Sequence, residues 1–336
     1  MSGGPTLGIG VIGAGIMGER MMRAIAEHAA GVARVTGAWD EDPQALSRVG
    51  AAGIAASRSA EEVIAGAECV YVATPPAAHL SLARAALAAG KAVFLEKPLA
   101  VDVVDARAFV EEAQTHGHFA RVAVNYPFAS SPAVERLERW LRDGAAGVAR
   151  GFETEVAFAE WPRAWQRGAA GWLNTRAQGG FTREVVSHFL FLARRVLGPL
   201  HLRTSRAEYP ADGGPERRVE ARLDAGGLPG RLRGAVGETA AEDHNAWTVR
   251  GLGAVRLRDW SIAERERPDG NWVADPDSVP NERMRPVVLR RQIEAVARMT
   301  RGEPHRLATL NEALEVQDVV EAILAGHPAP EVTRAA

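Results

Sequence analysis

Gly13-Ala14-Gly15-Ile16-Met17-Gly18 sets three glycines in G-x-G-x-x-G spacing within the first 20 residues. The chemistry open to such a string is the holding of phosphate by main-chain N–H groups. Gly13 allows a tight turn and Gly15 lets the backbone approach a pyrophosphate, while Gly18 lets a helix pack closely on the preceding strand. Ile16 and Met17 then open the helix, where backbone N–H groups and the helix dipole favour an anion. Asp40 stands 22 residues beyond Gly18. A carboxylate there accepts hydrogen bonds from ribose hydroxyls and repels a 2′-phosphate, which predicts NAD as the cofactor. Arg48 and Arg58 could fold towards a phosphate, so NADP is the alternative.

These residues need a scaffold, and the sequence around them alternates strand and helix patterns. Apolar runs at 7–12, 32–39, 69–73, 92–95 and 121–124 are separated by helix-forming stretches at 19–30, 77–89 and 101–116. Pro43 after Asp42 marks a further helix start, and Gly90 a helix end. Short buried strands alternating with helices predict a doubly wound parallel sheet, an α/β Rossmann domain over residues 1–124. Ligands on such sheets sit beyond the carboxyl ends of the strands. Thr74-Pro75-Pro76 and Glu96-Lys97-Pro98, like the glycine loop and Asp40, immediately follow a strand. Residues 147–160 and 200–260 read as strands divided by Asp212-Gly213-Gly214 and Ala225-Gly226-Gly227 turns. Residues 262–282 are polar and proline-bearing, and read as a long loop. Helices are expected at 181–196, 285–299 and 310–324.

Bulk properties exclude several classes. Apolar residues make up 46% of 336, the balance of a folded globular protein. A net charge of −2 gives no general field for nucleic acid or an anionic membrane. Cys69 is the single cysteine, so neither an internal disulfide nor a multi-cysteine metal site can form; its apolar strand context reads as a buried thiol. No metal constellation is seen. The first apolar stretch is short and glycine-broken, with no basic lead-in, and no run nears the roughly 20 residues of a membrane span. A cytoplasmic protein is expected.

Val72-Ala73-Thr74-Pro75-Pro76-Ala77-Ala78-His79, Ala89-Gly90-Lys91 and Glu96-Lys97-Pro98 together resemble the glucose–fructose oxidoreductase and inositol dehydrogenase (Gfo/Idh/MocA) family. The likeness continues through Asn125, Gly179-Gly180 and the Glu184–His188 pair. It implies a second domain over 125–336, α+β with an open, mostly antiparallel sheet, and an active site between the domains. It also implies hydride transfer between a nicotinamide ring and a small carbonyl, alcohol or imine. Thr74, Pro75, His79, Glu96 and Lys97 are then expected at the cofactor. Asn125 and Tyr126 are expected at the substrate.

Hydride transfer requires a group that moves the substrate's proton. Lys97 is the candidate acid/base; burial beside a cationic ring would favour its neutral form. Glu184 precedes His188 by four residues, one helical face, so the carboxylate can orient the imidazole as a proton relay; a structural histidine bonded to Glu184 is the alternative. The family usually has aspartate at the position of Glu184 and often at that of Phe191, and arginine near Tyr126-Pro127. Those departures admit a less polar, non-anionic substrate. Trp161, Trp165 and Trp172, with Arg163 and Arg176, occupy residues 160–178, either as an aromatic wall for a sugar ring or as packing. A sugar or polyol dehydrogenase leads. The alternatives are an imine or ketone reductase of secondary metabolism and a non-catalytic NAD-sensing regulator. A flat sheet with one open face predicts a homodimer or homotetramer.

Overall fold

The computed structural model describes residues 6–327; residues 1–5 and 328–336, the outer ends of the two expected domains, lie outside the described residues. The chain forms two compact units. Among the described residues, the first comprises 6–131 together with 282–314, and the second comprises 132–281 together with 315–327.

In the first unit, β1 (Leu7–Ile12), β2 (Ala33–Trp39), β3 (Cys69–Val72), β4 (Ala92–Leu95) and β5 (Val122–Val124) form one sheet in the order β2-β1-β3-β4-β5. Every pairing is parallel. All residues of β1, β3, β4 and β5 are buried, as expected of strands covered on both faces. The chain leaves β1 for β2 on one side and then crosses to β3 on the other. That reversal opens a crevice at the carboxyl ends of β1 and β3. Helix α1 (Ile16–His28) starts there. The helix Pro43–Ala51 begins as its sequence suggests, with the Asp42 carboxylate accepting from Gln44 N at 2.9 Å. A short helix, Ala60–Gly66, was not expected from its apolar pattern, although Ser59 and Glu62 form its capping turn.

The boundary differs from the expected division at residue 125. Ile293, Val296 and Met299 of the helix Asn281–Thr300 are buried with Ile9, Met21, Ile25 and Phe94. Their burial completes the first core with chain from beyond the sheet of the second unit. A single cut in the sequence therefore cannot separate the units.

The second unit holds the eight-stranded sheet. Its strands are β6 (Gly151–Phe158), β7 (Leu200–Glu208), β8 (Arg218–Ala225), β9 (Leu228–Val236), β10 (Asp243–Arg250), β11 (Ala254–Arg258), β12 (Ile262–Glu266) and β13 (Trp272–Ala274). The order is β13-β12-β11-β10-β6-β9-β8-β7, antiparallel except for β6 beside β9. Burial alternates along β6 and β8, so one face is covered and the other is open. The reading of 262–282 as a long loop is corrected by β12 and β13. Their polar residues are satisfied across strands: Glu264 lies opposite Arg256 and bonds its Nε at 2.6 Å. Among the described residues no helix is long and apolar enough to cross a membrane.

Candidate active site

The glycine turn is dictated by contact with backbone. Gly13 has φ +95°, and a Cβ there would lie 2.5 Å from the carbonyl carbon of Ala73. A Cβ on Gly18 would meet the Gly13 carbonyl oxygen at 1.9 Å. Both positions therefore exclude any side chain. Gly15 is different: nothing lies within 4 Å of its would-be Cβ, and it caps α1 with no side-chain bond to the first-turn amides. The helix start thus borders open space at Gly15, where first-turn main-chain donors have no side-chain cap. Asp40 reaches into this turn, accepting from Ala14 N at 2.6 Å and, through its other oxygen, from Asp42 N at 2.9 Å. A carboxylate oxygen offers two acceptor sites, so each retains capacity for a ribose hydroxyl. Arg48 pairs with Glu19 at 2.6 Å and Arg58 with Glu62 at 3.3 Å, both on the surface.

At the ends of β3 and β4 the geometry is equally determined. His79 is fully buried, with Nδ1 2.8 Å from the Pro98 carbonyl oxygen and Nε2 2.8 Å from that of Thr74. It ties the Thr74-Pro75 turn to the Lys97-Pro98 turn, whose peptide bond is cis. The Thr74 hydroxyl is buried with no hydrogen-bond partner among the described residues. Such a group costs free energy until something bonds it, and a dinucleotide amide or hydroxyl fits that need. The turn and strand ends therefore suit the cofactor expected from the sequence.

Beneath Lys97 runs a buried chain of polar groups. Tyr71 donates its hydroxyl to Glu96 Oε1, and Asn125 Nδ2 donates to the same oxygen at 2.7 Å. Gln292 Nε2 closes the chain on Asn125 Oδ1 at 2.5 Å. Burial, together with the charge and hydrogen bond of Glu96, pushes the Tyr71 phenol well above its ordinary range, so it stays a donor. Glu96 is thus held by two donors, and Lys97, half-buried, follows it at the strand end. Tyr71 is hidden in the sequence inside an apolar strand, and Gln292 because it follows Arg290-Arg291 in a polar helix whose pattern does not mark it as buried. Asn125 and Tyr126, expected at the substrate, are both 2% exposed, and the Asn125 amide serves this chain. Cys69 is fully buried and its thiol is pushed up to about 12, chiefly by burial, which makes it a poor nucleophile.

In the second unit a π-helical turn, Thr182–Val186, leads into the helix Ser187–Leu197. Such turns are rare and recur at functional sites. Glu184 lies inside it and His188 just beyond, so the wider turn alters the regular i,i+4 registration read from the sequence. The turn is anchored by Glu216, which accepts from Thr182 N at 2.7 Å. Burial raises the Glu216 carboxyl above its ordinary range. Gly180 has φ +95°, and a Cβ there would strike Glu216 Oε2 at 2.3 Å, which explains the glycine. His188 is 9% exposed and stands edge-to-face with Trp260, centroids 5.6 Å apart at 74°. Phe191 is fully buried beneath the Arg195 guanidinium, a core position.

Residues 160–178 are organised around Arg163. It is 6% exposed, pairs with Asp243 at 2.6 Å and lies 4.8 Å from the Trp165 ring centroid. Trp161 packs edge-on against Phe158 and Phe181. Trp165 is 40% exposed, and Trp172 is half-buried. The first unit thus gathers the glycine loop, Asp40, Thr74, Pro75, His79, Glu96, Lys97 and Asn125. The second holds Glu184, His188 and the tryptophans. Among the described residues no group of acidic, histidine or cysteine side chains could hold a metal ion.

A parallel sheet whose first strand turns through an open, amide-lined glycine bend at the point of strand reversal defines a dinucleotide-binding domain. Residues 7–126 match the family described as an oxidoreductase family with an NAD-binding Rossmann fold, GFO_IDH_MocA. Over those residues the chain is similar to this Gfo/Idh/MocA family. An inositol 2-dehydrogenase of Cereibacter sphaeroides is 42% identical over 108 residues, which is 32% of this chain and 32% of that protein. The match thus spans about a third of that relative's own length. Likeness of fold extends further. An oxidoreductase from Agrobacterium radiobacter, solved with NAD+, L-tartaric acid and magnesium, gives a TM-score of 0.78 at 21% identity, covering 95% of this chain and 96% of that one. The WlbA dehydrogenase from Bordetella pertussis, solved with NADH and UDP-GlcNAcA, gives 0.76 at 20% identity, covering 97% and 98%.

Proposed function

We infer that the protein is an NAD-dependent dehydrogenase or reductase acting on a secondary alcohol or ketone of a sugar, polyol or related compound. One observation carries the reading: Asp40 is bonded into the same turn that offers the α1 amides, so ribose acceptor and phosphate donors form a single preorganised unit. The Asp40 carboxylate, which would repel a 2′-phosphate, supports NAD over NADP. A bound nicotinamide supplies the hydride acceptor or donor. The chain's own residues do the rest. The first-turn amides and Asp40 hold and orient the dinucleotide. Lys97 Nζ takes the hydroxyl proton in the oxidative direction and returns it in the reductive one; His188, on the second unit, is the candidate proton relay. Thr74, His79 and Glu96 hold the strand ends beside Lys97 in place.

Calorimetric titration with NADH and NADPH, followed by a panel of sugars, inositols and cyclic imines, tests the reading. Uptake of NADH in preference to NADPH and oxidation of a polyol or sugar are expected. A clear NADPH preference would remove the Asp40 assignment, and failure to bind either dinucleotide would remove the whole reading. Turnover confined to imines or simple ketones would favour the reductase alternative, for which the absence of arginine at Tyr126-Pro127 is the supporting observation. Tight binding with no turnover and a protein partner would favour a regulator.

The open face of the large sheet supports self-association. Glu153, Glu155 and Glu220 stand among Arg222, Arg231 and Arg233 on it. Two copies related by a two-fold axis can set these opposite charges together. Sedimentation at micromolar concentration is expected to give a dimer or tetramer whose dissociation rises with salt. A monomer at all concentrations would overturn this.

A further inference from the structure

Asp259 and Trp260 are the non-glycine residues with left-handed backbone among those described, at φ +45° and +73°. They open the three-residue turn 259–261 between β11 and β12, whose last pair is Arg258 with Ile262. Glycine or asparagine is the usual occupant of such a conformation, and a bulky side chain there is a true outlier. The surroundings hold the turn from several directions. Asn245, 1% exposed, accepts from Asp259 N at its carbonyl (2.9 Å) and from Trp260 N at its side-chain oxygen (3.0 Å). The Asp259 carboxylate meets His244 at 2.9 Å and Arg258 at 2.6 Å. Ser261, fully buried, donates to the Val279 carbonyl at 2.7 Å. Strain that persists because its surroundings over-determine it marks a conformation with a use.

The conformation aims the indole at the imidazole. Trp260 meets His188 edge-to-face at 5.6 Å and 74°, and Phe189 at 5.4 Å and 45°. Aromatic pairs prefer such arrangements over a flat sandwich, so the indole limits rotation of the imidazole plane. The left-handed backbone at a bulky residue sets this contact apart from ordinary strand packing. We propose that Trp260 is a positioning residue, acting through His188 by fixing the ring plane in which that histidine relays its proton. This rests on the relay reading of His188 given above.

The test compares Trp260→Phe, Trp260→Ala and Trp260→Gly in the full chain. In the Ala and Gly variants kcat falls roughly 10- to 100-fold, with the KM for NADH within about twofold, because a small misplacement of a proton-transfer group is costly in rate. Phe keeps an aromatic edge and restores most of the rate. Gly relieves the left-handed backbone yet stays as slow as Ala, which separates positioning from stability. The His188 ring-proton signals, assigned by their loss in His188→Gln, shift in Ala and Gly but little in Phe. Unmoved His188 signals, or kcat in both small variants within about twofold of wild type, overturns the proposal. A wild type with no turnover on any substrate is failure of the relay reading instead. The His188 signals then decide by themselves whether Trp260 sets the ring.

Discussion

Lys97→Met lowers kcat by about 10²- to 10⁴-fold, the usual contribution of a positioned proton-transfer group, and leaves the Kd for NADH within about threefold. Methionine keeps the length and most of the volume of the stem while deleting the amine, so the substitution isolates the proton. The support beneath it is unchanged. Glu96 stays bonded by Tyr71 and Asn125, and the Lys97-Pro98 turn stays tied to His79. An interaction made only in the transition state lowers kcat and kcat/KM together, whereas loss of ground-state binding raises KM alone. Steady-state kinetics with a fluorescence titration of NADH distinguish these. A variant as active as wild type would falsify the acid/base assignment of Lys97. A variant that loses NADH binding in proportion to its rate would make Lys97 a cofactor ligand only.

Lys97 is legible in the sequence because the first unit is written in short-range pattern. A parallel strand buried on both faces is a bare apolar run, and its carboxyl end is marked by the first residues that break the run. Gly13, Asp40, Thr74 and Glu96 are legible for that reason, and each follows its strand in the structure. Membership of the unit was less legible. Ile293 and Met299 belong to the first core although 150 residues of the second unit, 132–281, intervene, and periodicity carries no address. In the second unit β12 was hidden because its stability comes from Arg256–Glu264 and Arg258–Glu264 pairs across strands. A charged run gives no strand signal when its partners lie on another strand. The site was hidden in the same way where it is made by tertiary constraint. Trp260 contradicts its local propensity, and the π turn at Glu184 arises where Glu216, 34 residues on in sequence from Thr182, holds the helix start. Local rules fail where the surrounding fold overrules them, and such places are enriched in function.

The glycine turn supplies the second large effect, and Gly15 and Gly18 should differ in stability while both weaken binding. Gly18→Ala puts a methyl 1.9 Å from the Gly13 carbonyl oxygen, a backbone atom that cannot rotate aside. Either α1 or the turn must move, at a cost on the order of 1–3 kcal/mol or more for an overpacked site. Tm is expected to fall by several degrees. NADH affinity falls with it by at least about tenfold, because the displaced amides no longer converge on one phosphate. Gly15→Ala meets nothing within 4 Å, and its extended backbone, φ −75°, suits any residue. That variant is expected to melt with wild type while also losing about tenfold or more in NADH affinity, since its methyl occupies the space through which the pyrophosphate approaches the backbone. Calorimetric titration and thermal melting of the pair separate the two roles: Gly18 is needed to build the turn, Gly15 to use it. If Gly15→Ala binds NADH as wild type does, the phosphates do not rest at this helix start, and Asp40 loses its ribose with them.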